Sequence, residues 1–93
     1  MIYNFEWDEE ESEKNLAKHN VSFEEAATVF DDLLSVTFQD PDHSIQEQRE
    51  ITIGYSVKNR LILVFFTERN NKIRIFSARE ATKKERKKYE ESA

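Results

Sequence analysis

The 93-residue chain contains no cysteine, one glycine, one proline and two histidines. Without cysteine it can form no disulfide, no thiol nucleophile and no thiolate metal site. With Gly54 as its sole glycine it has no glycine-rich loop to cradle a nucleotide phosphate and no nucleophile elbow. Two histidines, His19 and His43, give no His-x3-His spacing, and the early acids are consecutive rather than convergent, so no metal and no cofactor are expected. No apolar run approaches the roughly 18 residues of a membrane span, and the N-terminus does not resemble a signal peptide. The expected setting is soluble and cytoplasmic.

What is present is charge, unevenly placed. Residues 1–50 carry fourteen acids against three bases, a net of −11, whereas residues 51–93 carry five acids against eleven bases, a net of +6. The total of −5 argues against a polyanion partner, but local field steers a phosphate ligand, and the second half is basic. Seven Phe, three Tyr and one Trp supply one packed core. They do not supply a deep enclosed cavity as well, so a shallow surface site is expected in a single domain spanning 1–93.

Periodicity divides the chain. Residues 2–7 read as a short strand. Asp8 reads as an N-cap with Glu9, Glu10 and Glu11 in the first turn of a helix reaching about Asn20. Ser22 and Glu25 form a capping box for a second helix over 23–30, whose apolar face is Phe23, Ala26, Ala27 and Phe30. From Ser35 the period becomes two: a strand with Val36 and Phe38, a turn at Asp40-Pro41-Asp42, a strand over 49–57, a turn at Lys58-Asn59, a central strand over 60–69, a turn at Asn70-Asn71 and a last strand over 72–78. Thr82 and Glu85 cap a final helix to about Glu91. The expected fold is α+β, in the order β-α-α-β-β-β-β-α: an antiparallel sheet of about four strands with a short N-terminal strand, two N-terminal helices and one C-terminal helix.

Three clusters can carry chemistry. Glu68, Arg69, Lys72 and Arg74 flank the Asn70-Asn71 turn and Arg79 closes the last strand. Arginines bind phosphate through a planar fork, and a carboxylate can move a proton; equally, these charges can be a guard against edge-to-edge strand pairing. Lys83, Lys84, Arg86, Lys87 and Lys88 line the last helix, as phosphate contacts or as a solvated face with Glu80, Glu85 and Glu90. Tyr89 packs on the sheet or stacks on a base. Lys14 and Lys18 share a face of the first helix beside His19, which is a candidate general acid or base or, equally, a partner of the helix C-terminus. His43, in an acidic turn, is expected to be solvated.

The combination resembles the BrnT toxins. Phe5-Glu6-Trp7-Asp8, Lys14-Asn15, Lys18-His19, Val21-Ser22-Phe23-Glu24-Glu25-Ala26 and Phe30-Asp31-Asp32 are similar to the family's opening, as are Asp40-Pro41-Asp42-His43-Ser44, Glu47 and Arg49. Thr67-Glu68-Arg69, Arg74-Ile75-Phe76-Ser77-Ala78-Arg79 and Glu85-Arg86-Lys87-Lys88-Tyr89 are similar to its ending. The resemblance implies a RelE-like fold and a ribonuclease toxin of a type II toxin–antitoxin pair. It also implies a BrnA-type antitoxin that binds operator DNA, and a heterotetramer of two toxins and two antitoxins. The acidic first helix departs from what RNA contact there would favour.

RNA supplies its own nucleophile, the 2′-OH, so cleavage needs a base, cations for the phosphorane and an acid for the leaving oxygen. On that expectation the catalytic candidates are Arg79, Glu68, Arg69 and His19, with Arg49, Arg74, Lys14, Lys18, Arg86 and Tyr89 binding RNA. Strict alternation puts Arg74 and Arg79 on opposite faces of the last strand, so either a bulge lies between them or only one faces the site, and then Arg79, at the strand's end, is the favoured one. The competing readings are a non-catalytic module that binds nucleic acid or the antitoxin in operon control, and an inactive toxin homologue.

Overall fold

The computed structural model describes residues 3–42 and 48–92. Ile2 of the expected first strand, His43, Ser44 and Glu47 lie outside the described residues. The element order is β1 (Phe5–Glu6), α1 (Glu9–His19), α2 (Phe23–Thr28), a 3-10 turn (Val29–Asp31), β2 (Val36–Gln39), β3 (Glu50–Tyr55), β4 (Leu61–Arg69), β5 (Lys72–Glu80) and α3 (Lys83–Ser92). The strands form one sheet ordered β1-β5-β4-β3-β2. β2 to β5 are antiparallel neighbours and β1 joins β5 in parallel. This is the expected α+β order.

Local chemistry explains the boundaries. The Asp8 carboxylate accepts from the Glu11 N–H at 3.0 Å, and Asn20 ends α1 in the left-handed region at φ 58°. The Ser22 hydroxyl caps α2 by accepting from the Glu25 N–H. Glu25 does not complete the expected box, because its carboxylate is committed to Arg60 and Ser56. The last turn of the expected second helix tightens to 3-10 from Val29. Asn70 and Asn71 both take positive φ, 54° and 62°, as a two-residue turn between right-twisted strands requires. β5 runs to Glu80, two residues past the expected end.

The sheet separates two apolar clusters. On the first face α2 and the residues flanking it cover Ile62, Val64, Phe66, Ile73, Ile75 and Ala78, with Val21, Phe23, Ala26 and Val29 packed on them. On the second face Tyr89 of α3 packs on Ile51, Ile53, Leu61 and Leu63. β4 feeds both, so its run of apolar residues is buried on both sides.

β1 pairs with only the start of β5, at Ile73 and Arg74. Farther along, α1 takes over that edge. The Asn15 amide donates to the Ala78 carbonyl at 2.9 Å and accepts from the Ala78 N–H at 3.1 Å, as a neighbouring strand would. It also donates to the Val21 carbonyl and accepts from the Ser77 hydroxyl. A buried amide thereby ties helix, loop and strand together.

Candidate functional site

The ladder between β4 and β5 breaks once. Phe65 pairs with Ser77 and Phe66 with Ile75, which leaves Phe76 as an extra residue in β5. A bulge shifts the alternation by one. Arg74, opposite Thr67, and Arg79, opposite Leu63, therefore share the second face. This is the bulge that a joint site requires.

Around it the second face is a belt of rings and guanidinium groups. The Arg49 guanidinium lies 4.0 Å from the Phe76 ring centre, and the Arg79 guanidinium 5.8 Å from that of Phe65. Arg74 donates to Glu6 at 3.2 Å. Arg79 makes a two-pronged contact with Glu85, at 2.7 and 2.8 Å. The same Glu85 accepts from the Thr82 N–H while Thr82 caps the Glu85 N–H, a reciprocal box at the start of α3. The Arg79 hydrogen bonds hold the Glu85 carboxyl down at about 2, and Glu85 raises Arg79 in turn. Capping and cation placement thus meet in one side chain. From local spacing Glu85 is a cap and a helix-face partner only, since its contact with Arg79 crosses the strand–helix corner.

Beside the bulge, α1 and β5 enclose an open groove of about 220 Å³ lined by Glu11, Lys14, Asn15, Lys18, His19, Phe76 and Ser77. The structure thus brings the cations of the first helix to the strand that carries Arg74 and Arg79. Phe76, missed from sequence, lines the groove and contacts Arg49. Its signal was faint: an aromatic placed where a strict alternation would have turned Arg74 away from Arg79.

Other candidates lie elsewhere. Glu68 pairs with Ile73 in register and so projects to the first face, away from the arginines. Arg69, opposite Lys72, is on the arginine face but at the exposed hairpin tip. The Tyr89 hydroxyl donates to the Leu34 carbonyl at 2.9 Å, the residue is 9% exposed, and burial raises its pKa. Arg86 donates to the Tyr55 hydroxyl at 3.3 Å. Both fasten α3 to the sheet rather than reach the groove. Among the described residues no three His, Asp or Glu side chains converge as metal ligands, and no helix is long and apolar enough to cross a membrane.

The arrangement can hold phosphates on forked cations, and a flat ring between two sets of cations can receive a planar group. No curated protein matches the chain. The crystal structure of the Brucella abortus ribonuclease toxin BrnT is similar in fold, with a TM-score of 0.68 at 22% identity, over 88% of this chain and 100% of that one. The family model described as "Ribonuclease toxin, BrnT, of type II toxin-antitoxin system" matches residues 7–85. The chain therefore belongs to the BrnT family of ribonuclease toxins, whose type II toxin–antitoxin systems imply an antitoxin as its partner.

Proposed function

We propose that this chain cleaves RNA without a metal by activating the substrate's own 2′-OH, and that a BrnA-type antitoxin silences it by covering the arginine face. The bulge at Phe76 carries the reading, because it turns Arg74 and Arg79 to one side of β5. Arg79 stabilises the charge of the phosphorane. Arg74, Arg49, Lys14 and Lys18 hold the flanking phosphates, and Arg69 adds charge at the hairpin tip. His19 moves the proton in preference to Glu68, because it shares the groove with Phe76 and Ser77 while Glu68 projects to the opposite face. Arg86 and Tyr89 serve by seating α3, and thus Glu85 against Arg79.

In the free protein, carboxylates occupy the places that phosphates would take. Glu85 meets Arg79 through the same fork geometry as a phosphate, and Glu6 meets Arg74. RNA must displace or share these partners. An acidic antitoxin segment would compete for the same cations. Two toxins and two antitoxins form the inactive complex in this reading, with operator DNA contacted through the antitoxin.

The test is induced expression of the chain alone, wild type beside Arg79→Ala, with growth and total RNA as readouts. Loss of one transition-state donor typically costs about 2.7–4 kcal/mol, so cleavage should fall by roughly two to three orders of magnitude. His19→Ala should lower it by at least about a hundredfold. Growth arrest with intact RNA would instead favour a non-catalytic binding module, the reading that the neutralised arginines also accommodate.

A further inference from the structure

We infer that the bulge makes Phe76 a stacking platform for one unpaired base, so that the substrate is single-stranded RNA. This rests on the nuclease reading and deepens it by naming the form of the substrate. Three observations point the same way. Phe76 is the extra residue of β5, freed from the register that fixes its neighbours. Its half-buried ring lines the groove that α1 forms with β5, where Lys14, Lys18 and His19 converge. The Arg49 guanidinium lies over the ring at 4.0 Å, so the ring already receives one planar group, whose place an incoming base would take. An aromatic ring between two groups of cations is the arrangement that tracks a single strand: cations follow the phosphates while the ring takes a base.

Duplex RNA offers no such base. Its bases are stacked within the helix, and A-form RNA is recognised mainly through phosphates and 2′-OH groups on its surface. The groove sits between a helix and a strand edge, and its volume of about 220 Å³ suits one strand better than two. The acids of α1 reinforce this selection. Glu9, Glu10 and Glu13 are exposed on the helix that forms one wall, and Glu11 lines the groove beside Lys14, Lys18 and His19. A broad duplex surface would bring more phosphates against those carboxylates than a single threaded strand does.

The experiment is equilibrium binding by fluorescence polarisation. The probes are a labelled 2′-O-methyl single strand, which cannot react through a 2′-OH, and the same strand annealed to its complement. Wild type, Phe76→Leu and Phe76→Trp are compared, each checked for folding by circular dichroism. Phe76→Leu keeps apolar volume but removes the ring, so it should weaken single-strand binding about ten- to a hundredfold. It should leave the weaker duplex binding nearly unchanged, and Phe76→Trp should retain wild-type affinity. Equal binding of the two probes by wild type, or unchanged single-strand affinity in Phe76→Leu, would overturn the inference. Cleavage of total RNA by the same variants separates the two readings. Active Phe76→Leu with unchanged KM sinks the platform and spares the nuclease, whereas selective single-strand binding without any cleavage by wild type does the reverse.

Discussion

The buried ion pair between Glu25 and Arg60 is the residue-scale feature with the largest consequence for stability. Glu25 is 4% exposed, and its carboxylate accepts from Arg60 through two nitrogens and from the Ser56 hydroxyl at 2.7 Å. Arg60 also donates to the Asn20 carbonyl and to Glu80, so one guanidinium joins the end of α1, the start of α2 and the end of β5. Removing one member strands the other. Arg60→Ala should cost about 3–5 kcal/mol in urea unfolding, and a loss below about 1 kcal/mol would show that the site rehydrates. Two carboxyls also tie stability to pH. Arg60 lowers Glu25, and Arg79 lowers Glu85 from its ordinary 4.5 to about 2. A carboxyl whose folded pKa is depressed stabilises the fold fully above its unfolded value. That contribution is lost as pH falls through the folded one. Unfolding free energy should therefore decline between about pH 4.5 and pH 2, and Glu85→Gln should flatten part of that slope. A parallel decline in wild type and Glu85→Gln would exclude Glu85 as a source.

At the scale of elements, the attachment of α1 and the seating of β3 are each decided by one residue. Asn15 substitutes for a missing strand beside Ala78, so Asn15→Ala removes partners from both backbone groups of a buried residue. Each unsatisfied group costs about 1–3 kcal/mol, which predicts a loss of roughly 3 kcal/mol and faster amide exchange at Ala78. Unchanged exchange there would mean that water replaces the amide. Gly54 lies in β3 where the 3-10 turn and the following loop cross it. A Cβ at Gly54 would meet the Ser35 Cβ at 2.9 Å and Asp32 Oδ2 and Val29 Cγ1 at 3.1 Å each. The Asp32 carboxylate also accepts from the Tyr55 and Leu34 N–H groups, which limits how far that loop can withdraw. Gly54→Ala should cost about 1–3 kcal/mol by overpacking, read as a lower urea midpoint at unchanged m.

For the whole molecule, the fold reorganises the charge that the chain divides. Lys14 and Lys18 come from the acidic half, yet they line a groove with Phe76 and Ser77 of β5, the strand of the basic half that carries Arg74 and Arg79. Overall charge of −5 keeps long-range attraction to RNA weak, so binding depends on this local group. If Lys14, Lys18, Arg49 and Arg74 each neutralise one phosphate, log Kd should rise with log salt at a slope of about 3, from roughly 0.7 per contact on a single strand. Lys14→Ala should lower that slope by about 0.7 while leaving the single-strand preference intact. A slope unchanged by Lys14→Ala would remove α1 from the path of the strand. Total charge cannot predict such a result, because screening over about 10 Å at 0.1 M salt confines each cation to its own neighbourhood.

The features legible in the sequence are those decided within a few residues. Asp8, Ser22 and Thr82 cap helices through their own neighbours, and the Asn70-Asn71 pair turns the chain because asparagine tolerates left-handed backbone. Apolar alternation sets the strands and hence the α+β order, since side-chain period and backbone period coincide. Glu85, Phe76 and the destination of Lys14 and Lys18 were not legible in that way. Each depends on how elements meet rather than on the residues beside it: β5 against β4 with one residue out of step, α3 folded back across a corner to Arg79, and α1, far away along the chain, laid on a sheet edge through Asn15. Local composition determined the elements and their charges; only tertiary packing decided which charges share a face, because a shift of one residue in a strand reverses every side chain beyond it.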